Sequence, residues 1–126
     1  MRQLLDTHTF IWFIMGDPRI TGNVRSQIER NENVLSIISV WEIAIKHSIG
    51  KLNLNSSFAD FVEQQITMTN IQLITIKIDH VLAVSQLPLH HRDPFDRMLI
   101  AQAIAENIPI LSADAIFDTY PVQRLW

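Results

Sequence analysis

His90-His91-Arg92-Asp93-Pro94-Phe95-Asp96-Arg97-Met98-Leu99-Ile100-Ala101-Gln102-Ala103 is the stretch on which the reading of this chain turns. It predicts a loop that becomes a helix and carries two carboxylates to the helix mouth. Asp93 suits the N-cap, and Pro94 suits the first helical position, where its missing N–H costs nothing. Asp96 then falls at the third helical position, with Leu99, Ile100 and Ala103 as the buried stripe. Two acids at a helix start are also what the free N–H groups and the positive end of the dipole favour. The stretch alone therefore admits plain capping, and the rest of the chain has to decide.

Outward from that helix, short apolar runs alternate with helical patterns. Arg2 to Leu5 reads as a strand ending at Asp6, and Phe10 to Met15 as a helix apolar all round, which must be buried on nearly every side or meet a partner. Thr21 caps an amphipathic helix to about Asn31, and Val34-Leu35-Ser36 is a strand. Ser39 or a neighbour starts a helix that Gly50 ends, and Ser56 or Ser57 begins another through about Met68. Ile71 to Lys77 reads as a buried strand, Asp79 as the cap of a helix ending near Leu87-Pro88. Pro109 to Ser112 reads as a strand leading to Asp114, and Val122 to Trp126 as a last edge strand. Strands alternating with helices imply an α/β fold, a parallel sheet covered on both faces.

With 126 residues the chain is expected to form one domain, residues 1–126, and it contains no cysteine, so disulfides and thiolate metal sites are excluded. Reducing surroundings suit it, and the start does not read as a signal peptide because Asp6 and His8 interrupt the apolar run. Nothing approaches a membrane-spanning length. The net charge of −3 offers no bulk basic surface for a polyanion. A nucleic-acid role would need local Arg and Lys groups, or cations that neutralise an acidic site.

Four acids stand out. Asp6 and Asp114 each follow an apolar strand, which places them at the carboxyl edge where open parallel sheets form their sites. Asp96 starts the helix that precedes the Asp114 strand. Glu42 shares a helical face with Ile38, Ile45 and Ile49, and a carboxylate on an apolar stripe needs a cation or hydrogen bonds; Lys46 at i+4 is the simple partner. Clustered carboxylates repel unless compensated, and with oxygen ligands alone the natural compensator is Mg²⁺ or Mn²⁺. Such an ion polarises a phosphoryl oxygen and lowers the pKa of bound water, as phosphodiester hydrolysis requires.

Four pieces in order resemble the PIN-domain family, and within it the VapC-type toxins: Leu4-Leu5-Asp6-Thr7-His8, Ser39 to Lys46, His91 to Arg97, and Ile110-Leu111-Ser112-Ala113-Asp114. The resemblance implies a three-layer α/β/α fold with a central, mainly parallel sheet. It implies a cytoplasmic endoribonuclease dependent on Mg²⁺ or Mn²⁺, a homodimer, and a cognate antitoxin that blocks the site. Carried over by motif, Asp6, Glu42, Asp96 and Asp114 form the catalytic and metal-binding quartet. Asp96 is preferred to Asp93 because its spacing to Ala101-Gln102-Ala103 matches the family pattern.

His91, Arg92 and Arg97 are candidates for RNA phosphate or base contacts beside those acids. His8 and His90 lie near them too, but the histidine spacing is not that of a zinc site. Trp12, Trp41 and Trp126 read as core or interface groups. The outer residues of Phe10 to Met15 are expected to line a groove shared by the dimer contact and the antitoxin. Two alternatives stay open: a receiver-like phospho-acceptor module, which wants adjacent acids after the first strand, and a catalytically inactive interaction protein on the same fold.

Overall fold

β1 (Arg2–Leu5) runs into α1 (Thr7–Met15), and α2 (Gly22–Arg30) into β2 (Glu32–Ser36) and α3 (Ile37–Ser48), in the computed structural model, which describes residues 1–69 and 71–126. α4 (Phe58–Val62) continues as a π-helical turn over Glu63–Thr67, before β3 (Gln72–Ile74) and α5 (Ile78–Gln86). The decisive stretch supplies α6 (Pro94–Glu106), followed by β4 (Ile110–Leu111), a 3₁₀ turn (Ala115–Thr119) and β5 (Arg124–Leu125). The strands form one sheet in the order β3-β2-β1-β4-β5. Every pairing in it is parallel.

Successive strand side chains point to opposite faces. Leu5, Leu35 and Leu111 pack on one face against Phe10, Ile11, Val24, Ile28 and Phe61. Leu4, Val34 and Ile110 pack on the other against Leu99, Ile100, Ala103 and Phe117. Helices cover both faces, so the strands read as unbroken apolar runs. This is the three-layer α/β/α arrangement. Burying each of these Leu or Ile side chains contributes about 1.5–3 kcal/mol, and Leu99, fully buried at the centre of α6, is one of the anchors.

Helix ends follow local chemistry. Asp93 caps α6, its Oδ1 accepting from the amides of Phe95 (2.8 Å) and Asp96 (3.3 Å), with Pro94 in the first turn. Asn107 ends α6 in the left-handed region at φ 53°. Gly50, at φ 77°, follows the end of α3, where a side chain would be strained.

Several boundaries differ from the sequence expectation. α3 is capped by Ser36 rather than near Ser39, because β2 passes into the helix without a loop. Asp79 is not the cap of α5: Lys77 holds that place, and its amide donates to Nδ1 of His80 at 3.0 Å. The strand expected over Ile71 to Lys77 shrinks to Gln72–Ile74, and it is not buried. It pairs only with β2 at the sheet edge, which leaves Leu73 and Ile76 exposed. The stripe beside Glu42 stops short, since Ile49 lies exposed at the end of α3. In α1, Phe10 and Ile11 are buried, Trp12, Phe13 and Ile14 are half-buried, and Met15 is exposed. Among the described residues, no helix is long and apolar enough to cross a membrane.

Candidate metal centre

The chain leaves β1 toward β2 and β3 on one side and returns to β4 and β5 on the other. Such a switch opens a crevice beyond the carboxyl ends of the two central strands. Asp6 stands at the end of β1 and Ser112 at the end of β4, both buried. Ser112 Oγ donates to Asp6 Oδ2 at 2.5 Å and accepts from the amide of Asp114 at 3.0 Å. One buried hydroxyl therefore joins two of the candidate acids. The Thr9 amide donates to Asp6 Oδ1 at 2.8 Å, so Asp6 also caps α1.

α6 delivers the third acid. Ligand atoms of His91, Asp96 and Asp114 all lie within 4.8 Å of one another. His91 Nε2 is 2.8 Å from Asp96 Oδ2. Asp114 is exposed and caps the 3₁₀ turn, its Oδ1 accepting from the Ile116 amide at 3.1 Å. Capping and ligation are thus compatible: a cap occupies one lone pair and leaves others for the crevice.

Glu42 is held differently. Lys46 Nζ lies 2.9 Å from its Oε2, the simple i+4 partner, while its Oε1 is buried with no hydrogen-bond partner among the described residues. Glu42 is outside the His91–Asp96–Asp114 group. Its helix is nevertheless tied to the mouth of α1, because Thr7 Oγ1 donates to Ser39 Oγ at 2.8 Å one turn earlier.

The electrostatics are those of carboxylates held away from water. Burial raises the Asp6 carboxyl above the usual carboxylate range, against the hydrogen bonds from Ser112 and Thr9. Burial, and after it the charge of Asp93, push Asp96 up to about 7; His91 opposes the shift and Asp6 adds to it. Hard oxygens, costly to ionise away from water, with an orphaned buried carboxylate oxygen on the neighbouring helix, fit a hard divalent cation.

The basic candidates divide. Arg92 is exposed. The Arg97 guanidinium turns to the loop before α6, onto the carbonyls of Leu87, Pro88 and His91. His91 sits among the carboxylates rather than beside them. The sequence reading gives Ser112 no role of its own, although a serine two residues before an acid at a strand end is a recognisable signal. Tyr120, which holds the His91 loop, carries no such mark.

An open parallel sheet with acids gathered at its switch point defines an α/β protein with a carboxylate cluster at the strand ends. The chain belongs to the PIN domain family, which it matches over residues 4–122. That membership sets aside the receiver-like alternative. No match is found among curated proteins. Solved structures with the same fold include VapBC2 from Rickettsia felis bound to a DNA fragment from its promoter (16% identity, TM-score 0.75, covering 100% of this chain and 99% of that one). FitAcB from Neisseria gonorrhoeae gives 19% identity and a TM-score of 0.73 over 100% and 97% of the two chains. A toxin–antitoxin complex from Klebsiella pneumoniae gives 13% and 0.68 over 98% and 96%.

Proposed function

We propose that this protein is the toxin of a VapBC-type toxin–antitoxin pair, a cytoplasmic endoribonuclease dependent on Mg²⁺ or Mn²⁺. The observation that carries the reading is the meeting of Asp6, Asp96 and Asp114 around Ser112 and His91 at the sheet's switch point. Asp6, Asp96 and Asp114 would hold the cation, with Glu42 Oε1 the reserve donor from α3. When bound, the cation supplies positive charge to a phosphoryl oxygen and makes water a better nucleophile at neutral pH. Ser112 and Thr9 fix the Asp6 carboxylate, and His91 fixes that of Asp96. Arg92, exposed next to His91, is the candidate guanidinium for an RNA phosphate.

Two surfaces support the partners. A groove of about 730 Å³ lies between α1, α2 and the π-helical turn, lined by Phe10, Phe13, Ile14, Ile28, Gln65 and Ile71 among others. It is concave, with apolar side chains beside Arg25, Glu29 and Glu32, and it suits an amphipathic antitoxin segment. The opposite layer exposes Ile78 (73%), Val81 (48%) and Leu82 (60%) on α5 beside the open edge of β3. An exposed apolar patch favours a contact surface, and in this reading it meets a second copy. The dimer contact and the antitoxin groove fall on different faces in this reading, whereas the sequence expectation put both on the outer residues of Phe10 to Met15.

The test uses protein freed of its partner and a single-stranded RNA, with Mg²⁺, Mn²⁺ or EDTA. Cleavage with either metal, lost in EDTA and in Asp96→Asn, supports the reading. RNA left intact throughout, or cleavage that persists in EDTA, overturns it; intact RNA points to the inactive interaction protein.

A further inference from the structure

We propose that Arg97 and Tyr120 are positioning residues of the acidic site: they clasp the loop before α6, and through it His91 fixes the direction of the Asp96 carboxylate. The inference rests on the metal-nuclease reading for what the site does, and on hydrogen-bond geometry for how it is held.

The loop between α5 and α6 has no ladder of its own, so its backbone groups must find side chains or water. Two side chains take five of them. Arg97 Nη1 donates to the carbonyls of Pro88 (3.0 Å) and His91 (3.2 Å), and Nη2 to that of Leu87 (3.2 Å). Tyr120 Oη accepts from the amides of His90 (3.0 Å) and His91 (2.8 Å) and donates to the Pro88 carbonyl at 2.8 Å. Those two amides fill both of its lone pairs, so the Arg97 contact at 3.4 Å is the weak one. Tyr120 is buried in the core with Phe117, so the loop is pinned to a rigid anchor.

The His91 ring inherits that position. It packs beside Phe117, ring centroids 6.0 Å apart, and its Nδ1 faces the Asp93 amide at 3.4 Å. An Nδ1 that accepts assigns the ring hydrogen to Nε2, which then donates to Asp96 Oδ2 at 2.8 Å. With Oδ2 engaged, Asp96 Oδ1 has a fixed direction, and among the described residues no hydrogen bond reaches it. Outer partners of metal ligands matter at this level: losing one costs about 10–100-fold in metal affinity or activity.

The experiment compares wild type, Tyr120→Phe, His91→Ala, their double variant and Arg97→Lys. Calorimetry with Mn²⁺ alone gives Kd, single-stranded RNA cleavage gives kcat and KM, and thermal melts report folding. Tyr120→Phe removes only the hydroxyl. It is expected to weaken Mn²⁺ about tenfold and lower kcat similarly, with KM for RNA unchanged. The double variant should match His91→Ala, because residues acting through one another are not additive. Arg97→Lys keeps the charge but not the fork, so Mn²⁺ binding should weaken while KM holds.

Three results overturn the proposal. A lowered melting temperature with unchanged Kd and kcat means a merely structural clasp. Independent, multiplicative effects in the double variant mean that Tyr120 does not act through His91. A raised KM in Arg97→Lys with intact Mn²⁺ binding makes Arg97 a phosphate contact. If wild type neither binds Mn²⁺ nor cleaves with it, the metal reading itself falls, and this inference with it.

Discussion

Ser112 Oγ and Asp6 Oδ2 lie 2.5 Å apart although 106 positions separate them in the chain. The bond joins the carboxyl ends of β1 and β4, the two strands that flank the switch point. It holds a buried carboxylate where the crevice opens. Ser112→Ala removes the donor and leaves that oxygen buried without a partner. A buried polar atom left without its partner costs about 1–3 kcal/mol, so urea unfolding at pH 7 in EDTA should show a drop of that size. A variant as stable as wild type would mean that the bond holds nothing in place.

Asp96 sets a pH signature. Its folded pKa, about 7, lies above the ordinary 3.8 because burial and the Asp93 charge oppose ionisation. The folded state therefore binds more protons than the unfolded state between those values. The destabilisation is fully present above the folded pKa and is relieved as pH falls through it. Metal-free wild type should gain melting temperature from pH 8.5 to 5.5 relative to Asp96→Asn. The variant should melt higher than wild type at pH 8.5. Parallel profiles would remove Asp96 from the list of strained acids.

Asp93 and Asp96 separate by role. Asp93→Ala deletes the α6 cap and should cost about 1 kcal/mol of stability while part of the cleavage survives. Asp96→Asn should abolish cleavage and the melting-temperature gain on adding Mn²⁺, a gain that follows RT ln(1 + [L]/Kd) in wild type. Equal loss of cleavage from both, with neither destabilised, would reverse the assignment.

The α5 surface predicts an assembly. Leu82 is 60% exposed, so Leu82→Lys should leave circular dichroism unchanged and convert a dimer to a monomer in sedimentation. A variant that stays dimeric places the contact elsewhere.

Phe13 is half-buried and lines the groove, with the Arg25 guanidinium 5.2 Å from its ring centre. Phe13→Asp should abolish capture of the antitoxin with the fold and the RNA cleavage kept. Unfolding alone would make Phe13 a core residue.

Much of the site was legible because its signals are local. Asp93 and Pro94 announce a helix start by spacing, and Asp6 and Asp114 announce strand ends by following apolar runs. The alternation of strands with helices is enough for a parallel sheet, since short parallel crossovers have few other solutions. The Lys46 partner of Glu42 was likewise readable, being one helical turn away.

What remained hidden depends on contacts between distant segments. The order β3-β2-β1-β4-β5 leaves Ile71 to Lys77 half uncovered, although its apolar run resembles a central strand. Arg97, by type a phosphate ligand, is turned to three backbone carbonyls by the course of the loop. Sequence by itself determined the helices, the strands and the acids at their ends, because capping and periodicity act within a few residues. Tertiary structure alone decided that Ser112 joins Asp6 to Asp114 and that Tyr120 holds His91, because desolvation and hydrogen bonding depend on what folding brings within about 3 Å.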